Sequence, residues 1–535
     1  MVQTLHRKAT GFNAAKTLLL CAMTFFETLV ALLAVAILLL QVTRRMRLPY
    51  PGILAAAGVG VAMLPGAPTI PIDPPTALAL FIAPVLIDSA YDFPLGAARR
   101  MLLPLFLYAV VAILVTTGVV VTINAFTIGL PLAVAVTLGA IVAPPDAAAA
   151  TAVLSNLPVA RRVDALLKGE SLFNDATALL LFGAALTVQA RGGLDTETAL
   201  RIGFAAPGGI LLGIAFGFLV SRLRPVTENT VGGTLLQFVY AFATWLIAEH
   251  LHLSAVLATV ASAMTIATLA TVEDSPRMRV HSFAVWTTVV FLLNVVAFLL
   301  MGLQARRIVA AMSAADLERA VSFAAIVVVA IIATRLAMAF LFHALVVHRH
   351  RRGHVLAPFN RGETLLVGWA GMRGLVTLAT AFALPADFPD RDLVVLTAFS
   401  VVLATLVIQG ATLAPMIHFL KLGRQGEVQE ELEAARKALA EAALSRLEPE
   451  TGAEADALRI VYKDHHARAS REPDRTPSDR RRNLAMAVVI AQRQRLEELR
   501  DADQIGPTQY LELQEDLDWK QLSVGTDEER RITES

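Results

Sequence analysis

The chain is poor in cysteine and in charge, and each shortage excludes a class of protein. Its single cysteine, Cys21, rules out a disulfide framework and any site built from several thiolates. Only 17% of the 535 residues are charged, against roughly 25% in soluble globular chains. The net charge of +1 and the lack of a basic face with interleaved aromatic residues give no indication of a nucleic-acid partner. The eleven histidines show no metal-ligand spacing, so we expect neither metal catalysis nor a bound cofactor.

The chain is instead rich in apolar residues, with 56% in the hydrophobic set and a mean hydropathy of +0.61. Nearly half of its charged residues fall after residue 420. This uneven distribution predicts a polytopic membrane domain followed by a polar tail. We divide the chain into an N-terminal segment (1–16), a transmembrane domain (17–420) and a cytoplasmic charged tail (421–535).

Thirteen apolar runs predict transmembrane helices, since about 20 apolar residues span the hydrocarbon core. They lie at residues 17–41, 50–66, 77–93, 102–125, 129–156, 164–189, 198–221, 231–249, 254–271, 280–303, 319–347, 362–385 and 393–420. Arginines follow the odd-numbered spans, which places the N-terminus outside and the tail in the cytoplasm. The predicted fold is an all-α polytopic protein of the cell (inner) membrane, with about 13 transmembrane helices and lipid as its surroundings.

The tail is expected to form soluble helices at 427–447 and at about 482–500, because strong helix formers and charge pairs recur there at helical spacing. Residues 464–482 are expected to be a linker. A solvated scaffold, a dimer contact and a regulatory role all remain open for this tail.

Ionisable side chains inside the predicted spans are the main clue to function, because a charge at the bilayer centre costs at least about 2.5–3.5 kcal/mol. They are Asp88, Asp146, Glu170, Asp175, Arg335 and Arg373. Buried ion pairs account for some of them, but four carboxylates against two arginines leave acids over. We therefore expect a mobile positive charge to compensate the surplus.

The sixth span concentrates oxygen ligands. Glu170 and Asn174 are four residues apart and share one helix face, and Ser171 and Asp175 share another. Hydroxyl, amide and carboxylate oxygens are hard ligands, which suit a small hard cation. This pattern favours a site for a monovalent cation.

Two spans are predicted to be discontinuous. Pro144 and Pro145 remove two backbone donors beside Asp146, and residues 368–374 place three glycines around Arg373. The second of these spans comes seven spans after the first, so the two have opposite orientation, as inverted repeats require. Interrupted helices at corresponding positions of two halves point to a transporter site at the midplane.

Taken together, these motifs resemble the monovalent cation:proton antiporter family, specifically sodium/proton exchangers of the bacterial NhaP type. The matching segments are residues 83–88, 139–146, 169–175, 294–302 and 369–374. The resemblance implies exchange of Na⁺, or of Li⁺ or K⁺, for H⁺. It also implies two discontinuous crossing helices, and a homodimer built on a dimerisation domain with a moving six-helix core.

The resemblance also implies roles for individual residues. Asp175 is similar to the carboxylate that holds cation and proton in turn, with Ser171 as co-ligand. Asn174 is similar to the amide that precedes this acid in electroneutral exchangers, and Asp146 matches the acid of the unwound fifth helix. Asp175, Asp146 and Ser171 are thus the expected cation ligands.

Other positions are implied to be structural or to depart from the family. Glu170 and Arg373 resemble the family's structural salt bridge, which leaves Arg335 to backbone groups or lipid headgroups. Asp88, which is also an expected ion-binding residue, stands where many relatives have Glu, with a shorter reach for a ligand contact. Pro145 stands where many have Thr, so a hydroxyl is lost there.

Competition of cation and proton for Asp175 would couple cation flux to proton flux without any further source of energy. The neutral Asn174 offers no second proton site, which predicts one-for-one, electroneutral exchange. A cation channel and a proton-coupled carrier of another small solute stay open as alternatives. An enzyme is not expected, because Ser171 has no nearby histidine.

Overall fold

The computed structural model describes most of the chain, and all structural statements below refer to the described residues. Apart from a few single positions, these are residues 33–41, 50–62, 74–91, 101–146, 159–227, 230–269, 276–352, 358–422, 425–469, 476–502 and 507–524. The chain divides into two compact units, Met1–Arg424 and Gln425–Ser535. The two units are described separately.

Regular structure in the described part of the first unit is entirely helical, which confirms the predicted all-α class. Residues 33–41 are helical. The helices that follow are α1 Tyr50–Ala62, α2 Pro74–Tyr91, α3 Leu102–Phe126, α4 Leu132–Val142, α5 Arg161–Arg191, α6 Thr196–Thr227, α7 Val231–His250, α8 Ala255–Leu269, α9 Pro276–Ala311, α10 Ala314–Arg351, α11 Arg361–Trp369, α12 Leu375–Phe382 and α13 Arg391–Phe419.

Each of the thirteen predicted spans contains helix. Within the described residues, six helices are long and apolar enough to cross a membrane by themselves: Leu102–Phe126, Arg162–Arg191, Thr196–Thr227, Met278–Leu300, Ala314–Arg351 and Arg391–Phe419. The shorter apolar helices include α1, α4 and α8. The number of spans and the inverted repeats stay predictions.

Several helix ends follow directly from local sequence. Ser313 caps the start of α10 by accepting the Asp316 N–H. α11 starts with a capping box, in which the side chains of Asn360 and Glu363 each accept the other's backbone N–H. α5 ends at Gly192, whose left-handed φ of 74° favours glycine.

Helices α6 and α8 touch along a seam of small residues. Three glycines four residues apart, Gly209, Gly213 and Gly217, face α8. A Cβ atom on Gly213 would lie 2.2 Å from the Ala258 carbonyl oxygen, so only glycine permits this approach. The seam is the small-residue packing that membrane helices use in place of a hydrophobic driving force.

The two predicted helix breaks are present, and they meet. Residues 143–146 are not helical after α4, and residues 370–374 separate α11 from α12. The Asp146 N–H donates to the Met372 carbonyl at 2.7 Å. The two discontinuous helices therefore touch at their breaks, which positions the charged residues that both breaks carry.

The described part of the second unit contains four helices, α14 Gln425–Leu447, α15 Ala453–Ala469, α16 Thr476–Asp501 and α17 Pro507–Val524. α14 packs against α15, and α16 packs against α17. The predicted linker at 464–482 is wrong at both ends, because α15 extends through 469 and α16 begins at 476. Residues 470–475 lie outside the described part of the chain.

Candidate ion-binding site

Helix α5 carries the polar residues predicted for the site, and most of them are buried. Glu170 is 1% exposed, Asn174 is fully buried and Asp175 is 7% exposed. Ser171 is half-buried one turn before Asp175. Since the helix is continuous from Arg161 to Arg191, these side chains are held in fixed register.

The predicted ion pair between Glu170 and Arg373 is wrong, because Glu170 pairs with Arg335. Nη2 of Arg335 donates to Oε2 of Glu170 at 2.7 Å, and Nη1 donates to Oε1. Nη2 also reaches the Val367 carbonyl at 3.3 Å. Two parallel, charge-assisted hydrogen bonds make a strong and directional pair. Arg335 is therefore engaged by a carboxylate rather than by lipid headgroups.

An aromatic side chain supports this pair from α3. The Arg335 guanidinium lies 5.1 Å from the centre of the Tyr108 ring. Tyr108 belongs to a π-helical turn, Leu107–Val111, within α3, and π turns are frequent at functional sites. The ring face gives the buried cation a second favourable contact.

Arg373 is engaged by backbone rather than by a carboxylate. Nε donates to the Val142 carbonyl at 3.0 Å, Nη2 to the Ala143 carbonyl at 3.2 Å, and Nη1 to the Gly371 carbonyl. The last carbonyls of a helix have no intrahelical donor, and a cation at a helix C-terminus is favourable. Arg373 thus caps the end of α4, where the Pro144–Pro145 pair stops the helix.

Asp146 caps the other broken helix. Its Oδ2 accepts the Leu375 N–H at 3.0 Å, at the start of α12. A carboxylate is stabilised at a helix N-terminus, where backbone donors are unsatisfied. A Cβ atom on Gly374 would lie 1.7 Å from this oxygen, so the contact requires glycine there.

Asn174 connects α5 to the first break. Its Nδ2 donates to the Pro145 carbonyl at 2.9 Å, so the proline supplies a backbone oxygen although it lacks a hydroxyl. The Oδ1 atom of Asn174 is buried and has no hydrogen-bond partner among the described residues. A buried oxygen of this kind normally has a partner, and a monovalent cation is a suitable one.

Asp175 is a buried carboxylate whose charge has no partner among the described residues. Its carboxylate makes no hydrogen bond or ion pair with the described residues, although it lies close enough to Asp146 for a direct electrostatic interaction. The structure therefore brings Asp146, Asn174 and Asp175 together. Asp88 is half-buried on α2, and its part in the site stays a prediction, as does that of Ser171.

The sequence analysis missed an ion pair at the N-terminal end of α5. Arg162 donates to Oε2 of Glu363 at 2.8 Å, and Glu363 is 2% exposed. The guanidinium also lies 5.1 Å from the centre of the Phe359 ring. The Asn-x-x-Glu capping box at Asn360 is a sequence signal that could have marked Glu363 as the start of α11. Its pairing with α5 has no such signal.

Known proteins share this architecture. The chain matches the profile of the family described as sodium/hydrogen exchanger, transmembrane, over residues 29–418. That stretch includes both helix breaks and the whole charged cluster. The chain belongs to the sodium/hydrogen exchanger family. A sodium/hydrogen exchanger is a transporter and not an enzyme. Membership of this family supports cation/proton antiport as the activity.

Relatives agree with this placement in the family. A Mycobacterium tuberculosis protein named as a Na(+)/H(+) exchanger is 29% identical over 93% of this chain and 95% of its own length. The Na(+)/H(+) antiporter NhaH of Halobacillus dabanensis is 31% identical over 65% of this chain and 83% of its own. The solved sodium proton antiporter MjNhaP1 from Methanocaldococcus jannaschii superposes with a TM-score of 0.58 at 17% identity. It covers 75% of this chain and 99% of MjNhaP1, and it shows the shared fold.

Proposed function

We propose that this sodium/hydrogen exchanger moves one monovalent cation against one proton, with Asp175 as the group for which both compete. The observation that carries the proposal is a buried carboxylate with no hydrogen bond or ion pair to the described residues. Both nearby guanidiniums are already engaged, Arg335 by Glu170 and Arg373 by backbone carbonyls. A charged carboxylate is costly to bury unless it is paired, so a cation or a proton is expected to accompany Asp175.

The charge balance of the cluster supports one-for-one exchange. Three carboxylates (Asp146, Glu170 and Asp175) face two guanidiniums, which leaves one negative charge. A single proton or a single monovalent cation neutralises that charge. Asn174 is neutral and provides no second proton site. Exchange of one for the other moves no net charge across the membrane, so we expect electroneutral transport.

The ligand atoms suit a small monovalent cation. The proposed ligands are carboxylate oxygens of Asp175 and Asp146, Oδ1 of Asn174 and the Ser171 hydroxyl, all of them hard oxygens. Na⁺ is the first candidate, with Li⁺ and K⁺ as alternatives. Relatives are named for both cases: NhaH as a Na(+)/H(+) antiporter, and a Bacillus pumilus protein, 25% identical, as a sodium, potassium, lithium and rubidium/H(+) antiporter.

The wider arrangement is proposed from the charge pattern and the family. We infer an alternating-access cycle in a homodimer of the cell (inner) membrane, with the N-terminus outside and the tail in the cytoplasm. A site that holds neither cation nor proton would carry the uncompensated charge of Asp175, and moving that charge through the membrane would be costly. Only the cation-bound and proton-bound forms would then cross, which couples the two fluxes.

Purified protein in liposomes tests the proposal directly. An imposed pH difference is established, and internal pH is followed with a trapped dye as Na⁺, Li⁺ or K⁺ is added. We expect rapid proton flux in the natural protein and none in Asp175→Asn. Asp164→Asn is the matched control, because Asp164 lies on the same helix, is half-exposed and pairs with Lys168. Full activity in Asp175→Asn would refute the assignment.

Electroneutrality needs a separate measurement. With K⁺ and valinomycin setting the membrane potential, we expect the rate of Na⁺-dependent proton flux to stay the same at positive, zero and negative potential. A strong dependence on potential would contradict one-for-one exchange. Conductive cation flux that requires no opposing proton would favour the channel alternative.

A further inference from the structure

A cavity of about 350 Å³ lies beside the half of α5 that follows Asp175. Its walls come from α2, α5, α6, α7 and α8, together with the turn between α7 and α8. The loop charges place this end of α5 on the outer side of the membrane.

The helical register connects the cavity to the ion site. Leu179, Gly183 and Thr187 line the cavity and follow Asp175 at intervals of four residues. Each such step turns the helix by about 40°, so Leu179 lies near the face that carries Asp175, and Thr187 lies about a third of a turn away from it. The rise of a helix puts Thr187 roughly 18 Å from Asp175 along the axis. The cavity therefore runs from the outer end of α5 to within one turn of Asp175. Its inner end is apolar, with Leu78 facing the same space as Leu179.

The rim of the cavity carries one carboxylate that forms no ion pair with the described residues. Arg201, Glu249 and His252 line it. Nη2 of Arg201 lies 2.7 Å from Oε1 of Glu197, and the same oxygen lies 3.7 Å from Nη2 of Arg191. Glu249 is exposed, and its carboxylate makes no hydrogen bond or ion pair with the described residues. Because Arg201 is engaged by a neighbour outside the cavity lining, Glu249 is the acidic lining residue that remains open to a cation.

We propose that this cavity is the outer mouth of the ion pathway and that Glu249 draws the cation into it. The inference rests on the proposed exchange of cation for proton. A carboxylate at the mouth of a cleft raises the local concentration of cations and speeds their entry. Glu249 favours the entry of cations at the mouth and does not hold the ion at the central site.

The first test compares Glu249→Gln with Asp387→Asn in membrane vesicles of known orientation. We expect Glu249→Gln to raise the KM for Na⁺ added to the outer face about two- to five-fold, with kcat and the KM at the inner face unchanged. The increase is expected to disappear at high ionic strength, because salt screens an exposed charge. Asp387 is exposed in the turn after α12 and is outside the cavity lining, and the loop charges place it on the same side of the membrane. Asp387→Asn is therefore expected to behave like the natural protein.

The second test probes the cavity with a charged thiol reagent. Cys21 is the only cysteine, so Cys21→Ser provides a background without thiols. In that background, we expect Thr187→Cys to react with a membrane-impermeant cationic methanethiosulfonate from the outer side and to lose exchange. Leu194→Cys is the control, because Leu194 is exposed in the turn after α5 and is outside the cavity lining. It is expected to react without loss of exchange.

Failure of this inference is distinguishable from failure of the proposed function. If the natural protein exchanges Na⁺ for H⁺ and Asp175→Asn does not, exchange stands whatever Glu249 does. Equal outer KM values for Glu249→Gln and Asp387→Asn would overturn the role of Glu249. A Thr187→Cys protein that reacts only with a membrane-permeant maleimide would overturn the aqueous mouth and indicate that lipid fills the cavity.

Discussion

Two buried arginines, Arg335 and Arg373, both lie close to Gly371 and are stabilised in different ways. A Cβ atom on Gly371 would be 3.0 Å from Nε of Arg335 and 3.1 Å from Nη1 of Arg373. Arg335 projects from the continuous helix α10 and meets the carboxylate of Glu170. Arg373 projects from a helix break and meets backbone carbonyls.

The difference shows what a helix break provides. In an uninterrupted helix the backbone carbonyls are bound to the helix's own N–H groups, so a buried cation beside it needs a carboxylate. A broken helix leaves carbonyls without donors. Such carbonyls can bind a guanidinium, which then needs no carboxylate as its partner. Asp175 is thereby left without an arginine partner among the described residues, and its charge is the one that we propose the transported ion neutralises.

Glu170→Gln is expected to have the largest effect on stability. It leaves Arg335 buried with no counter-ion, which costs about 3–5 kcal/mol. We expect a large loss of yield and of thermal stability in detergent, measured by the temperature at which the monodisperse peak is lost on size exclusion. Glu170→Gln/Arg335→Met removes both partners and is expected to recover part of the loss. No recovery in the double variant would contradict the pairing.

Arg373→Met is expected to come next. It leaves the carbonyls of Val142, Ala143 and Gly371 without this donor, at about 3 kcal/mol in total, the upper end for an unsatisfied buried polar group. The same thermal assay measures it. Because no single carboxylate pairs with Arg373, combining it with Glu170→Gln is expected to worsen the loss. A rescue by that combination would instead support an ion pair between Glu170 and Arg373, which the structure excludes.

Gly374→Ala tests the contact between the two breaks. The new methyl group would overlap Oδ2 of Asp146, so the carboxylate must leave the Leu375 N–H. We expect a loss of about 2 kcal/mol, as for overpacking of a dense core, and a marked fall in exchange. Gly118→Ala on α3 is the control, because a Cβ atom there meets nothing within 4 Å. Equal behaviour of the two variants would contradict the close approach.

Thr405→Val is expected to have the smallest effect. Oγ1 of Thr405 accepts the Arg373 N–H at 3.0 Å, and valine keeps the shape while removing the acceptor. We expect a loss of about 1 kcal/mol and exchange within two-fold of the natural protein. Thr412→Val, near the end of the same helix, is the comparison at an exposed hydroxyl. A loss as large as that of Arg373→Met would mean that Thr405 does more than position the backbone.

Local chemistry explains why the fold was largely predictable. Apolar runs indicate where helices lie, and both breaks follow from residues at the break itself: Pro144 and Pro145 in one, glycines around Arg373 in the other. The tail was predicted less well, since α15 and α16 extend into the expected linker. Pro477, directly after Thr476, stands at a position typical of a helix start, and this signal was overlooked.

The partner of Glu170 could not be derived in the same way. Glu170 and Arg335 are 165 residues apart, and composition and spacing give equal reason to pair Glu170 with either arginine. The choice depends on how α10 packs beside α5, which is a tertiary property. The surplus of acids did follow from counting charges, and it survives the exchange of partners because both arginines remain engaged.

The glycine seam between α6 and α8 has a consequence for how this protein can change shape. Contacts there are made by backbone atoms and by short side chains, which have few alternative rotamers into which they can rearrange. Sliding one helix along the other would drive backbone atoms into each other. We therefore expect these two helices to move together as one rigid body. The conformational change that ion passage requires is then expected to occur between other helices of the bundle.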